Sequence, residues 1–253
     1  REVCGGVPGR DRAGDRDVLK GGGGRAVELV YGKSKWEMWH DPLDAFLART
    51  KGDGFDATEI YIPSLKESPG EVIERHARHG LKLVAQIITS GGTPDEHLCT
   101  LEERLALAAL CKPILINGHV GRDIFPFEEN LRIIRRACAL AREHGIRFTH
   151  ETHRGRPTYS AIETRRYLEA VPEMRLNADF SHWMVVHESD LADQEENVRL
   201  AVGRCDHIHA RVGFEEGPQV SDPRAPEWKG AVDRHVHLCG ASWTRTGRPD
   251  PRS

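Results

Sequence analysis

Three residues that could bind a metal ion or move a proton recur at nearly equal spacing along the chain. Glu151 lies in RFTHETHRGRP, Asp179 in RLNADFSHW and His209 in DHIHARVG, 28 and 30 residues apart. Two carboxylates in one partly dry pocket repel each other unless a cation neutralises them. A neutral imidazole completes a mixed nitrogen and oxygen ligand set. These residue types indicate a divalent metal site, provided that the fold brings them together.

A spacing of about thirty residues is typical of one strand, one helix and their loops. From Val27 onward, short β-branched runs alternate with helical patterns, which indicates βα units around a parallel sheet. The carboxyl ends of the strands of a parallel barrel meet at one mouth. We therefore predict an α/β fold of the (β/α)8 TIM-barrel type, incomplete, with about seven βα units and the three residues at its mouth. The predicted strands lie near 27–31, 57–62, 81–88, 113–117, 146–151, 174–180 and 206–212.

Helix boundaries follow from proline near the first turn and glycine after the last. The helix from Phe127 to His144 is the clearest, because Leu131 and Ile134 belong to an apolar stripe that indicates a core-facing side. The other predicted helices run from Asp41-Pro42 to about Thr50 and from Ser68-Pro69 to Gly80, and a further one begins at Pro226.

The two ends of the chain differ in composition from the region between them. Residues 1–26 contain eight glycines and little apolar surface, so we predict a disordered leader there. We assign 27–235 to the barrel domain and 236–253 to an irregular tail that is rich in Arg, Gly and Pro. We expect both ends to be foreign to the fold, through truncation or a shifted reading frame.

The bulk composition favours a small-molecule ligand in a soluble protein. A formal net charge of −3, from 36 basic and 39 acidic residues, gives no strong field for nucleic acid or an anionic membrane surface. No apolar run approaches the roughly 20 residues of a membrane span, and no signal peptide is recognisable. The six cysteines show no CxxC pairing, which indicates reduced thiols. We expect a cytoplasmic location.

Strand alternation predicts which side chains share a face. It sends Glu151 and His153 to one side of the sheet and His150 to the other. It also places His207 and His209 on one face, so that His207 lies deeper in the barrel or supports its neighbour.

Further residues are candidates for contact with a substrate. His182 follows the second acidic strand end in DFSH, and Arg211 follows His209 on the same face, where its guanidinium could hold an oxyanion, phosphate or carboxylate. Glu59, within the second strand, points into the barrel, and His119 lies after the fourth strand. Other residues expected to line the pocket are Gln86, Asn117, Trp36, Trp39 and Trp183.

The segments HETHRG, LNADFSHW and HIHARVGFEEGPQ resemble the xylose isomerase-like TIM barrel superfamily, in particular its sugar phosphate isomerase/epimerase group, over about 27–235. The resemblance implies one divalent metal (manganese, magnesium, cobalt or zinc) held by Glu151, Asp179 and His209 on strands five, six and seven. It also implies that His182 touches the substrate. The family's fourth ligand, a Glu on strand eight, has no counterpart here.

The resemblance implies an isomerase or epimerase acting on a small sugar, polyol or sugar phosphate. In that chemistry the metal stabilises an enediolate, and carboxylates on strands five and eight move protons at opposite faces of the carbon. Glu151 is the catalytic residue in this scheme. Because general acid-base catalysis contributes about a hundred- to ten-thousand-fold, we expect a chain without the second carboxylate to bind metal weakly and to turn over poorly or not at all.

Two other interpretations remain open at this point. The chain could be a truncated barrel that keeps the ligand triad without activity. It could instead be an endonuclease IV-like DNA repair enzyme, although its near-neutral charge disfavours DNA binding. An open barrel would also expose sheet edges, which a second copy of the chain in a homo-oligomer could cover.

Overall fold

A computed structural model describes residues 19–20, 26–27 and 29–245. Its main feature is a sheet of seven strands, each pairing in parallel with the next strand of the chain. The predicted α/β fold, an incomplete TIM barrel of seven βα units, is confirmed. The strands are β1 (Gly32–Ser34), β2 (Ala57–Tyr61), β3 (Lys82–Ile88), β4 (Leu115–His119), β5 (Phe148–Glu151), β6 (Leu176–Ala178) and β7 (Cys205–Ile208).

Within residues 29–245, eight α-helices connect or follow these strands. The helices are α1 (Leu43–Gly52), α2 (Pro69–His79), α3 (Pro94–Leu110), α4 (Phe127–Glu143), α5 (Ala161–Ala170), α6 (Phe180–His187), α7 (Glu195–Val202) and α8 (Lys229–Arg245). Both α6 and α7 lie between β6 and β7. Short 3-10 turns occur at Trp36–Met38, Ile62–Ser64, Ala192–Gln194 and Pro226–Trp228.

The hydrophobic core lies between the sheet and the surrounding helices. Strand β3 shows how the sequence builds it, because successive side chains of a strand point to opposite faces. Leu83 and Ile87 are buried in the core cluster, whereas Val84 and Gln86 line the interior of the barrel. One face of each strand is therefore available for the site.

The first strand lies further along the chain than predicted. The apolar run 27–31 was expected to form it, but the strand is Gly32–Ser34. Its position is set by pairing: Gly32 lies opposite Ala57 and Ser34 opposite Glu59, while the carbonyl of Tyr31 accepts two bonds before the ladder begins. Hydrogen-bond register, and not hydrophobicity alone, determined this boundary.

The fourth strand is also displaced, from the predicted 113–117 to Leu115–His119. Pro113 has no N–H and cannot join a ladder. Pairing runs on to His119, which lies opposite Ile88. His119 was expected after the strand, but it is the last residue of the strand, and both His119 and Asn117 are buried in the barrel.

The ends of the chain require a further correction. Residues 236–253 were expected to form an irregular tail, yet α8 continues to Arg245. His235 and Leu238 are buried on this helix, and that packing sustains it. Residues 246–253, and 1–18 and 21–25 of the predicted leader, lie outside the described residues. Leu19–Lys20 and Ala26–Val27 form a short antiparallel pair.

Helix α2 begins after Ser68 and ends at Gly80, as its sequence predicted, and its first turn is closed by a capping box. Ser68 Oγ accepts from the backbone N–H of Glu71, whose carboxylate accepts from the N–H of Ser68 in return, and Gly80 ends the helix at φ 59°. We expect Ser68→Ala to lower the free energy of unfolding by about 1 kcal/mol. Urea denaturation would measure this. A loss no larger than that of Glu74→Ala, at an exposed position of the same helix, would contradict the assignment.

His76 gives the fold a pH dependence. It lies on the buried face of α2, with Nδ1 2.7 Å from the carbonyl of Val72 and Nε2 2.9 Å from Thr58 Oγ1. Burial lowers the pKa of His76, so the folded chain takes up this proton at lower pH than the unfolded chain, whose His pKa is about 6.5. Stability from this group is therefore present above about pH 6.5 and lost as the pH falls below it.

We expect the free energy of unfolding to fall between pH 7.5 and 5.5, and to fall less steeply in His76→Gln. The slope of the variant stays above zero because burial also lowers the pKa of His150 to about 3. Urea denaturation at several pH values would test this. Equal slopes for the two proteins would refute the role of His76.

Candidate active site

The interior of the barrel is an open cavity of about 1420 Å³. It extends from Leu115 and Cys205, at the amino ends of their strands, to Glu151 and His182 at the mouth. Within residues 29–245 no eighth strand joins the sheet, so β1 and β7 are its edges and both line the cavity.

The three residues predicted as ligands meet at the mouth of this cavity. Glu151 is the last residue of β5, while Asp179 and His209 directly follow β6 and β7. His209 Nδ1 lies 3.5 Å from Glu151 Oε1 and 3.8 Å from Asp179 Oδ2. One ligand atom from each residue lies within 4.8 Å of the other two. The structure thus brings the predicted triad together.

The donor set fits a divalent cation. Oxygen and nitrogen ligands bind such an ion at about 2.0–2.2 Å and so lie within about 4.4 Å of one another, close to the spacing of the triad. Asn177 Oδ1 and His182 Nδ1 are also buried nearby without a hydrogen-bond partner among the described residues. Buried polar atoms of this kind are normally satisfied, which favours a ligand here.

Hydrogen bonds fix one oxygen of Glu151 and leave the other facing the triad. Oε2 accepts from Asn117 Nδ2 and His119 Nε2, both at 2.6 Å, whereas Oε1 faces His209. Burial alone would raise the pKa of Glu151, but His119 and His209 hold it well below its usual range. Glu151 is therefore an anion with a fixed orientation.

Asp179 combines a structural contact with a position in the triad. Its Oδ1 caps α6 by accepting from the N–H of Ser181 at 3.1 Å, and its Oδ2 accepts from Arg211 Nη2 at 2.8 Å. Burial would raise the pKa of Asp179, but His209 and Arg211 lower it. Nearby carboxylates also act on His209. Burial would lower the pKa of His209, but Glu59 and Glu151 raise it well above the usual value. The triad therefore favours positive charge at its centre.

The predicted substrate-contact residues also lie at this cavity. Arg211 Nη2 is 2.9 Å from His182 Nε2; since a guanidinium only donates, that nitrogen accepts. Burial lowers the pKa of His182 to about 3, so its ring is neutral. Glu59 points into the barrel from β2 and contacts both His207 and His209. Its orientation, and the shared face of the two histidines, are confirmed.

Alternation along β5 also separates its histidines as predicted. His153 lies on the side of Glu151, with its ring 3.9 Å from His182 and 4.6 Å from His119 between centroids. Burial lowers the pKa of His153 to about 4. His150 points the other way, with Nε2 3.7 Å from Cys138 Sγ. A row of imidazoles therefore borders one side of the mouth.

Of the three tryptophans expected to line the pocket, Trp36 borders the cavity and Trp39 and Trp183 do not. Trp36 and Trp39 are exposed and stack on each other at 4.9 Å, and Tyr61 joins the stack. Trp183 is instead fully buried in α6, where Nε1 donates to the carbonyl of Thr158 at 3.0 Å. Trp183 was expected to line the pocket, but Asp179 caps a helix there that turns Trp183 into the core.

Sequence reasoning missed Asn177. It lies two residues before Asp179 on β6, and its Nδ2 is 3.3 Å from Glu151 Oε2 and 3.1 Å from His209 Nε2. The period-two alternation that placed His207 beside His209 would have found it. Asn117, predicted only to line the pocket, contacts both Glu59 and Glu151.

None of the described helices is long and apolar enough to span a membrane. No curated protein sequence matches the chain.

Several solved structures share the fold at low sequence identity. The chain aligns with a D-allulose 3-epimerase from Methylomonas sp. at a TM-score of 0.62 and 16% identity, covering 84% of this chain and 81% of that one. An L-ribulose 3-epimerase aligns at 0.61 and 18%, covering 84% and 78%. A probable 3-DHS dehydratase from Bacillus anthracis aligns at 0.58 and 16%, covering 79% and 78%.

A family model described as xylose isomerase-like TIM barrel matches residues 47–244. This range includes six of the seven strands and every residue of the triad. The chain belongs to the xylose isomerase-like TIM barrel family.

Proposed function

We propose that this protein is a divalent-metal-dependent isomerase or epimerase of a small sugar, polyol or sugar phosphate. The observation that carries the proposal is the convergence of Glu151, Asp179 and His209 from three successive strands, with ligand atoms within 4.8 Å. Family membership supports it, as do neighbours whose names identify D-allulose and L-ribulose 3-epimerases. When bound, a divalent cation would polarise the carbonyl of the substrate and neutralise charge that develops on its oxygen.

Glu151 is the proposed proton acceptor at the carbon beside the carbonyl. A base must be ionised and held within reach of the proton that it removes. Both conditions are favoured here, because His119 and His209 keep the carboxylate ionised and Asn117 with His119 fixes its orientation. His119, at 2.6 Å from Oε2, is also positioned to exchange a proton with Glu151.

His182 and Arg211 are the proposed substrate contacts. His182 Nε2 accepts from Arg211, so the proton of this neutral ring resides on Nδ1. That Nδ1 is buried and has no partner among the described residues, and a substrate hydroxyl would satisfy it. Arg211 presents a fixed fork of donors that suits a carbonyl, phosphate or carboxylate oxygen.

A non-catalytic metal and sugar binding protein is the second candidate, and one observation favours it. The described sheet ends at β7, whereas the family's fourth ligand and second proton-transfer carboxylate reside on an eighth strand. A chain without that carboxylate would keep the triad and lose proton transfer at one face.

Two measurements on the same purified protein separate these candidates. Manganese content after gel filtration reports binding, and NMR in D2O reports deuterium incorporation at C3 of D-allulose, D-tagatose or L-ribulose. Bound metal with exchange at C3 supports the isomerase or epimerase. Bound metal without exchange on any of the three sugars supports the non-catalytic protein. Absence of bound metal after incubation with Mn²⁺ and Co²⁺ would refute both.

A further inference from the structure

Glu59 contacts the triad from β2, a strand that supplies none of its three residues. It lies on β2, is 5% exposed, and is 150 residues from His209 along the chain. Its Oε2 lies 2.7 Å from His209 Nε2 and 3.0 Å from His207 Nε2. The proposed proton acceptor, Glu151, and the proposed substrate contacts, His182 and Arg211, leave this buried carboxylate without a role.

The two ring nitrogens of His209 face different groups. Nδ1 faces Glu151 and Asp179, while Nε2 faces Glu59. A histidine binds a cation through the lone pair of its neutral ring, which carries one N–H. In that form the proton lies on Nε2, because Glu59 Oε2 can only accept and is 2.7 Å from Nε2, whereas the carboxylate oxygens that face Nδ1 are 3.5 and 3.8 Å away. Asn177 Nδ2 also lies 3.1 Å from Nε2, but the carboxylate contact is shorter and charge-assisted. The lone pair of Nδ1 is left to face the triad.

Glu59 is itself held in place. Asn117 Nδ2 donates to Glu59 Oε1 at 2.9 Å and also to Glu151 Oε2 at 2.6 Å. The single amide therefore links the carboxylate behind His209 to the carboxylate on the other side of the triad. Through this link Asn117 fixes the position of Glu59 relative to Glu151, and Glu59 in turn fixes the rotation of the His209 ring.

We propose that Glu59 is a positioning residue for the metal site, which fixes His209 as the Nε2–H tautomer and presents Nδ1 to the cation. The inference rests on the proposed function, since it requires that the triad binds a metal. Histidine ligands generally donate their other N–H to a carboxylate or carbonyl, and loss of that partner typically costs about 10- to 100-fold in metal affinity.

The same atoms allow a competing interpretation. Glu59, His207 and His209 also bring ligand atoms within 4.8 Å of one another, so they could hold a second ion. His209 would then have to bind both ions with no proton on its ring, as an imidazolate. One ion with Glu59 as a hydrogen-bond acceptor avoids that deprotonation, and the number of bound ions separates the two cases.

The test uses Zn²⁺ as a diamagnetic probe with the full chain. Isothermal titration of wild type should give one Zn²⁺ per chain, and Glu59→Gln should bind it about 10- to 100-fold more weakly. Long-range ¹⁵N–¹H NMR of the wild-type Zn²⁺ complex should show His209 protonated at Nε2 and bound through Nδ1. His76→Gln, a buried histidine outside the site, is the matched control and should bind as wild type does.

The outcomes are distinguishable. Failure of wild type to bind Zn²⁺ would refute the proposed function itself. Wild-type binding with an unchanged affinity in Glu59→Gln would overturn only the role of Glu59. Two ions per chain, or Zn²⁺ bound at His209 Nε2, would overturn it as well. The NMR result needs wild type alone, so it decides the question even if Glu59→Gln fails to fold.

Discussion

Glu151→Gln is expected to lose the bound metal and to lower the rate of deuterium exchange at the substrate carbon by about a hundred- to ten-thousand-fold. The amide has nearly the same shape as the carboxylate but carries no negative charge for a cation. It also has a single acceptor oxygen, whereas Asn117 and His119 donate to Oε2 while Oε1 faces His209. The variant therefore removes charge from the triad without removing bulk.

Manganese content and exchange rate, measured side by side, would check this result. Glu128→Gln is a suitable control because it removes one carboxylate from an exposed position on α4. The control should retain the metal content of wild type. Retention of metal by Glu151→Gln at the wild-type level would remove Glu151 from the proposed ligand set.

Trp183→Ala is expected to destabilise the fold by about 3–5 kcal/mol. The indole of Trp183 is 0% exposed, and its Nε1 donates to the carbonyl of Thr158. The substitution leaves a large cavity beneath α6 and a buried carbonyl without its donor. Since domains of this kind are stable by about 5–15 kcal/mol, the loss is a large share of the total.

Urea denaturation of Trp183→Ala and Trp36→Ala provides a matched comparison of one residue type. Trp36 also donates a hydrogen bond, from Nε1 to Gln86 Oε1 at 2.8 Å, but it is 49% exposed, so its substitution leaves no buried cavity and should cost less than that of Trp183. A comparable cost at both positions would show that Trp183 does not pack as described.

The sequence predicted the triad because its spacing repeats with the βα unit. Glu151, Asp179 and His209 each follow an apolar run of strand length, and a parallel barrel turns such positions towards one mouth. That inference needs only the order of strands. It did not require the exact ends of the strands. The observed strands β1 and β4 differ in their ends from the predicted ones, because hydrogen-bond register set the start of β1 and Pro113 could not join the ladder of β4.

Contacts across the barrel could not be predicted in the same way. Glu59 meets His209 over 150 residues and Asn117 over 58, and no local periodicity encodes such partners. Trp183 was misassigned for a related reason. Whether an apolar residue after a strand lies over the mouth or in the core depends on the helix that follows, and Asp179 starts that helix with the same carboxylate that faces His209.

The separation of β1 from β7 gives the cavity a lateral opening within the described residues. The side chains of His207 and His209, next to β7, keep 22% of their surface accessible, so water reaches the rim of the triad. A wetter site has a higher local dielectric constant, which weakens electrostatic stabilisation of a developing oxyanion. We therefore expect ions to enter and leave this site quickly, and any catalysis to be more sensitive to ionic strength than in a closed barrel.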